Sequence, residues 1–125
     1  MSFLQLRSTY KPIIITTQSV SSITSGGGTA NGTLSSSRTS GVTELGFVYS
    51  TNLNPTIADS KVTATFTYGT YSASIGSLSA STTYHVRAYV TVAGVTDYGD
   101  DVSFTTSASA GGTVFSSTLL MLGVA

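Results

Sequence analysis

The chain has one histidine, His85, and no cysteine, so few of its residues could perform acid–base or metal chemistry. Histidine can act as a general base or bind a metal, but a zinc site here would have only carboxylates as further ligands. The two-residue period of a strand also places His85 beside Arg87 on an outward face. We interpret His85 as a surface residue and expect that its replacement by alanine leaves fold and function unchanged.

Three aspartates, Asp97, Asp100 and Asp101, form the only acidic cluster. Calcium prefers several carboxylates on one loop, but the sequence lacks an Asp-x-Asp-x-Asp-Gly loop. Because Tyr98-Gly99 is typical of a turn, a solvated turn is the preferred interpretation and a calcium site is the alternative.

Glu44 could form a salt bridge with Lys61 or Arg87. An isopeptide cross-link is a further alternative, but it requires a buried lysine beside an amide and an acid. The sequence contains no G-x-S-x-G elbow, and Gly26-Gly27-Gly28 lacks the Lys-Ser/Thr ending of a phosphate-binding loop. We therefore predict no enzyme, no catalytic residue, no cofactor and no metal.

Charge is unusually scarce in this chain of 125 residues. Only 8% of the residues are charged, the net charge is zero, and serine and threonine each occur 22 times. A typical protein has about 25% charged residues. Such a composition suits either a protein covered by its neighbours or an extracellular module with a hydroxyl-rich surface. Nucleic-acid binding, which needs clustered basic residues, is not expected, because the basic residues are scattered: Arg7, Lys11, Arg38, Lys61 and Arg87.

No segment has the features of an export signal or a membrane span. The apolar segment from Val114 to Ala125 is only 12 residues long. We expect a soluble product made in the cytosol, with a processed secreted fragment as the alternative.

The elements that carry these residues are predicted to be strands. Helix-favouring residues are scarce, and Gly, Ser, Asn and Thr clusters interrupt short runs of β-branched and aromatic residues. We predict an N-terminal arm (1–17), a sandwich of about seven antiparallel strands (18–106), and a small-residue linker with an apolar tail (107–125). The predicted strands are 19–24, 29–34, 42–50, 61–68, 71–75, 83–92 and 95–106.

Alternation along two strands predicts the core. Apolar residues occupy every second position from Tyr84 onward, while His85, Arg87, Tyr89 and Thr91 lie on the other face. We expect the first set to be buried and the histidine and arginine to be much more exposed. The predicted core residues are Tyr84, Val86, Ala88, Val102 and Phe104.

Four segments resemble a fibronectin type III-like family of immunoglobulin-like modules, found in bacterial surface proteins and bacteriophage virion proteins. They are 42–50 (VTELGFVYS), 55–56 (PT), 78–90 (LSASTTYHVRAYV) and 98–106 (YGDDVSFTT). The resemblance covers most of 19–106 and implies an immunoglobulin-like sandwich with a display role and no catalysis. It also implies a tyrosine corner at Tyr84, whose hydroxyl would bond to upstream backbone; Ala80 stands where the family usually has proline.

Both ends of the chain carry apolar residues that would favour aggregation if exposed. They are either extra strands of the same domain or contacts with neighbouring subunits, and we expect the second. The predicted assembly contacts are Ile13, Ile14, Ile15, Phe115, Leu119, Leu120 and Leu122.

The preferred functional hypothesis is a non-enzymatic structural protein on a virion surface, as a phage decoration, cement or tail-surface protein. Its partners would be subunits of the same assembly, with a host-surface glycan as a further possibility. The alternative is a secreted or cell-surface adhesion module that binds glycan or protein through its loops.

Overall fold

The computed structural model describes residues 13–35 and 41–109, which form two antiparallel sheets packed as a sandwich. The predicted all-β fold class is confirmed, and the described residues contain no helix. The strands are β1 (Ile14–Ser21), β2 (Gly28–Ser35), β3 (Val42–Ser50), β4 (Ser60–Thr63), β5 (Gly69–Ile75), β6 (Thr83–Val92), β7 (Val95–Tyr98) and β8 (Val102–Thr105).

The strands divide into a three-stranded sheet and a five-stranded sheet. The first has the order β1-β2-β5, and the second has the order β4-β3-β6-β7, with β8 also paired to β6. Strands β7 and β8 therefore pair with different halves of β6, at residues 89–92 and 83–86 respectively.

The predicted strand 95–106 is interrupted between β7 and β8. At the interruption, the amide of Gly99 donates to the carbonyl of Ala88 over 2.8 Å. The Thr17 hydroxyl accepts a 2.9 Å hydrogen bond from the Ala88 amide. A side chain from the opposite sheet thus satisfies a backbone donor that a continuous strand would have satisfied.

Strand β1 begins at Ile14, so the last residues of the predicted 1–17 arm belong to the sandwich. Ile13 and Ile15 pack against the core, whereas Ile14 is 55% exposed. Two of the three isoleucines predicted as assembly contacts are therefore packed within their own domain. The other predicted contacts, Phe115, Leu119, Leu120 and Leu122, lie outside the described residues.

The inner faces of the two sheets form the core. Val86, Ala88 and Phe104 are buried, whereas Tyr84 and Val102 are half-buried at the end of the sandwich. The largest buried side chain of the three-stranded sheet is that of Tyr71, whose ring stacks on Phe47 with a centroid distance of 4.8 Å. The remaining buried apolar residues around these are Ala30, Leu34, Leu45, Ile75, Val90 and Val92.

Gly46 lies where three strands and an aromatic side chain meet. It pairs with Thr63 of β4 and with Tyr89 of β6, and its carbonyl accepts a 3.0 Å hydrogen bond from the Tyr71 hydroxyl. A Cβ atom at this position would overlap the carbonyl oxygen of Val62 and lie 3.1 Å from a ring carbon of Tyr89. Only glycine fits here without a shift of the backbone.

We therefore expect Gly46→Ala to destabilise the protein by about 1–3 kcal/mol or more, because overpacking forces strands apart. Chemical denaturation with a fluorescence readout measures this change. Gly26→Ala is the matched control, since a Cβ there meets nothing within 4 Å. Equal stability of the two variants would contradict the packing described for Gly46.

Candidate binding groove and the loop beside it

The connection between β3 and β4, residues 51–59, folds over the outer face of the five-stranded sheet. Pro55 in this connection is fully buried, as are Val48 and Tyr89, which lie on the outer face of the sheet beside it. The predicted alternation of β6 is correct. On its second face His85 and Arg87 are half-buried, more exposed than Val86 and Ala88 but not fully exposed, and Tyr89 is buried. The reason is that this connection covers part of that face.

Asp101 binds the loop to the sheet. Its Oδ1 atom lies 2.7 Å from the Nδ1 atom of His85, and its Oδ2 atom accepts a 2.6 Å hydrogen bond from the Asn54 amide. Asn54 has a positive φ of 55°, a conformation that asparagine tolerates better than most residues. The interpretation of His85 as a plain surface residue is wrong, because its side chain is only 18% exposed and has a carboxylate partner.

Arg87 is the second contact between loop and sheet. Its Nε atom donates to the carbonyl of Gly99 over 3.1 Å, and its Nη1 atom donates to the carbonyl of Pro55 over 3.3 Å. The guanidinium carbon lies 4.3 Å from the centre of the Tyr98 ring, a cation–π geometry. The Tyr98 hydroxyl in turn accepts a 3.0 Å hydrogen bond from the amide of Ile57.

Of the two partners predicted for Glu44, the structure shows the salt bridge with Lys61. The Lys61 Nζ atom lies 2.8 Å from Glu44 Oε2, and this contact lowers the pKa of the Glu44 carboxyl. The Lys61 side chain is 36% exposed, so the buried lysine that an isopeptide cross-link requires is not provided by Lys61. As a surface ion pair it contributes little to stability.

A groove of about 700 Å³ opens at the end of the sandwich where the 51–59 loop begins and ends. The ends of β3 and β4 form one side, and the residues that follow β5 form the other. It is lined by Tyr49, Ser50, Thr51, Ala58, Asp59, Ser60, Gly76, Ser77, Leu78 and Tyr84.

Hydrogen bonds on both sides fix the shape of this groove. The Tyr84 hydroxyl accepts a 2.9 Å hydrogen bond from the Ser79 amide, five residues upstream, as expected for a tyrosine corner. The Leu78 amide donates to the carbonyl of Gly26 over 3.0 Å. On the opposite side, Asp59 Oδ2 accepts a 2.9 Å hydrogen bond from the Thr56 amide.

The groove lining is aromatic and polar but contains no metal-binding set. Two tyrosines and several small hydroxyl residues can stack against a ligand and form hydrogen bonds with it. In the described segments, 13–35 and 41–109, no three His, Cys, Asp or Glu residues are close enough together to hold a metal ion. The calcium alternative for Asp97, Asp100 and Asp101 therefore has no geometric support in that part of the chain.

Sequence reasoning did not find the groove. The Asn54-Pro55 loop and the Gly76-Ser77 turn are both recognisable as connections. Nothing in either segment indicates that they would face each other, because that depends on which strand pairs with which.

No protein-family model matches the chain, and no curated protein is significantly similar to it. Solved structures do share its fold. The sensor domain of the anti-sigma factor RsgI4 in Pseudobacteroides cellulosolvens, in a shorter form, has a TM-score of 0.58 at 23% sequence identity. That match covers 78% of this chain and 96% of the sensor domain.

Two further structures of the same sensor domain are also similar. A solution structure gives a TM-score of 0.58 at 19% identity, covering 90% of this chain and 92% of that one. A structure of a longer form gives a TM-score of 0.57 at 20% identity, and the match covers 89% of this chain and 100% of the sensor domain. At these identities the likeness shows a shared fold.

The prediction of a phage decoration, cement or tail-surface protein is wrong. The solved structures that share the fold are sensor domains of an anti-sigma factor. That prediction rested partly on the apolar isoleucines near the start of the chain, and two of these, Ile13 and Ile15, pack against the core of their own domain. Within the described residues, no helix is long and apolar enough to cross a membrane.

Replacing Asp101 by asparagine tests the attachment of the 51–59 loop. We expect a loss of about 1–3 kcal/mol in unfolding free energy, because the change weakens two hydrogen bonds to a half-buried carboxylate. The Asn54 amide should also lose protection in hydrogen exchange. Asp100→Asn is the control, since the Asp100 side chain is exposed. Unchanged protection of Asn54 in Asp101→Asn would contradict the role of this carboxylate.

Two tyrosines should make the protein unstable in alkali. Burial raises the pKa of Tyr71 and of Tyr89 well above the usual range, and the nearby Glu44 carboxylate adds to the effect at Tyr89. The unfolded chain releases these protons near pH ~10, whereas the folded chain retains them. Stability is therefore complete below that pH and falls above it. Urea midpoints measured across this range should show the decline.

Tyr89→Phe should make this decline shallower and leave stability at neutral pH equal or higher. The reason is that the Tyr89 hydroxyl is buried and has no partner at good hydrogen-bond geometry among the described residues. Tyr68→Phe, at a residue that is 38% exposed, should leave the decline unchanged. An identical pH profile for wild type and Tyr89→Phe would contradict this assignment.

Proposed function

We propose that this protein is a non-enzymatic recognition domain of the sensor type that acts outside the cell. Its ligand is a neutral, hydroxyl-rich molecule of the glycan class, bound in the groove beside the 51–59 loop. The observation that carries this proposal is the preformed groove of about 700 Å³, lined by two tyrosines and small hydroxyl residues.

The groove has the size and composition of a ligand site. Small-molecule sites typically occupy about 300–1,000 Å³. Tyrosine supplies a rigid amphipathic surface at a small entropic cost, while serine, glycine and asparagine supply adaptable hydrogen bonding in recognition loops. The bonds at Asp59, Tyr84 and Asp101 order the walls before a ligand arrives, which lowers the cost of binding.

The similar solved structures support a sensor role, because they are the sensor domains of an anti-sigma factor. A sensor of this type displayed outside the cell also agrees with the hydroxyl-rich, weakly charged composition. The strand order β1-β2-β5 and β4-β3-β6-β7 supports an immunoglobulin-like module, in which catalysis is not expected.

A second candidate function is protein binding through the 51–59 loop. Leu53 is 70% exposed and Ile57 is 45% exposed on this loop, which is bonded to the sheet through Asn54, Pro55 and Ile57. Apolar side chains on an ordered loop are suitable anchors for a pocket on a partner protein.

Binding to an array of soluble neutral oligosaccharides, followed by calorimetry on the full chain, tests the leading proposal. We expect Ala58→Arg, at an exposed groove residue, to weaken binding by about tenfold or more, because the long side chain fills the groove. Ala93→Arg, at an exposed turn between β6 and β7 outside the groove lining, is the matched control. Leu53→Ser should leave glycan binding intact and would weaken binding to a partner protein.

Two results would contradict the leading proposal. One is the absence of binding to every neutral oligosaccharide on the array. The other is equal affinity for Ala58→Arg and the wild type.

A further inference from the structure

The outer face of the three-stranded sheet carries a regular array of uncharged polar side chains, bordered at the start of β1 by Ile14, which is 55% exposed. Three rows of three residues run across β1, β2 and β5, as the pairing of the strands requires. They are Thr16–Thr33–Thr70, Gln18–Asn31–Ser72 and Ser21–Thr29–Ser74. Residues on neighbouring strands are about 4.8 Å apart, and successive residues of one face are about 6.8 Å apart along a strand.

Alternation within the strands produces this array, which we call the hydroxyl face. In β2 the intervening residues Ala30, Gly32 and Leu34 are buried in the core, so Thr29, Asn31 and Thr33 point outward. The same alternation holds in β5, where Tyr71 and Ile75 are buried.

Hydrogen bonds order the centre of the hydroxyl face. The Asn31 Nδ2 group donates to the Ser19 carbonyl over 2.8 Å and lies 3.0 Å from the Ser21 hydroxyl oxygen. Beside it, a shallow depression of about 170 Å³ is lined by Gln18, Asn31, Thr70, Tyr71 and Ser72. The face therefore presents fixed polar groups around a small recess.

Charge is absent from all three strands of this sheet. None of the sequences of β1, β2 and β5 contains Asp, Glu, Lys, Arg or His. The charged residues of the described segments lie in the five-stranded sheet or in its connections, namely Glu44, Asp59, Lys61, Arg87, Asp97, Asp100 and Asp101.

This distribution selects a neutral partner. A charged group placed against the hydroxyl face would lose its hydration without gaining a counter-charge. The face also lacks the aromatic, methionine and arginine side chains that dominate protein–protein interfaces. Hydroxyl groups both donate and accept hydrogen bonds, so an array of them matches a partner that is itself covered with hydroxyl groups.

We propose that the hydroxyl face is a second binding site, which adsorbs the protein to the surface of an insoluble neutral polysaccharide. Each hydrogen bond to such a surface is weak, but a repetitive partner engages many of them at once, and this avidity gives useful affinity. A short soluble oligosaccharide cannot engage the array in this way. The site is on the sheet face and shares no lining residue with the groove beside the 51–59 loop.

The test is adsorption of the full chain to microcrystalline cellulose and to chitin powder, measured by depletion from solution. Particles of cross-linked polygalacturonate serve as the charged comparison. Ser72→Glu, Ser72→Lys and Thr16→Glu each place a charge on the hydroxyl face at an exposed position. Thr63→Glu, exposed on β4 of the other sheet, is the matched control.

We expect adsorption to at least one neutral powder, weakened by about tenfold or more by either charge at position 72 and by Thr16→Glu. Thr63→Glu should adsorb like the wild type, because its charge lies on the other sheet. Thermal denaturation of each variant identifies any that fails to fold. If Ser72→Glu and Ser72→Lys weaken adsorption equally, the loss is due to the presence of a charge and not to its sign or to one particular side chain.

Four results would overturn the proposal. The first is no adsorption of the wild type to either neutral powder, and the second is equal adsorption to polygalacturonate. The third is wild-type adsorption by folded variants of Ser72. The fourth is a wild-type dimer in solution that the Ser72 variants dissociate, since the face would then be covered by a second copy of the chain.

Discussion

The carboxylate of Asp101 is the contact on which the loop end of the sandwich depends. It binds the side chain of His85 on β6 and the backbone of Asn54 in the 51–59 loop. The chain interruption between β7 and β8, which lies next to Thr17 and Ala88, places Asp101 between the His85 side chain and the Asn54 backbone. Without this one-residue shift in register, a continuous strand would pair Asp101 with Val86 on the inner face of the sheet.

The two outer faces of the sandwich consequently differ. Over the five-stranded sheet, the 51–59 loop contacts Asp101 and Arg87, and its ends form one wall of the groove. The three-stranded sheet lacks charge and presents rows of hydroxyl and amide groups. One small domain thus provides two polar surfaces of different shape, a concave groove and a flat array.

Local patterns predicted the core better than the strand bounds. A period of two places Val86 and Ala88 on the inner face whatever the topology, but the predicted strand 61–68 ends at Thr63 and the predicted strand 19–24 begins earlier, at Ile14. Local patterns did not predict where Tyr89 or His85 would lie, since the connection that covers this face comes from 51–59, far away in sequence. The groove and the hydroxyl face depend on strand pairing in the same way. The hydroxyl face has a signal in the sequence, the spacing of Thr29, Asn31 and Thr33, but its rows appear only once β1 and β5 are placed beside β2.

Mapping the ligand by amide chemical shifts tests the central claim, that the groove is a preformed site for a neutral glycan, most directly. A soluble oligosaccharide that binds should be titrated into the isotope-labelled full chain. We predict shifts concentrated at 49–51, 58–60 and 76–78, with little change at Asn54 and Pro55, which contact Asp101 and Arg87, because the walls are already ordered. Shifts confined to other parts of the described chain, or a large rearrangement of the loop on binding, would contradict it.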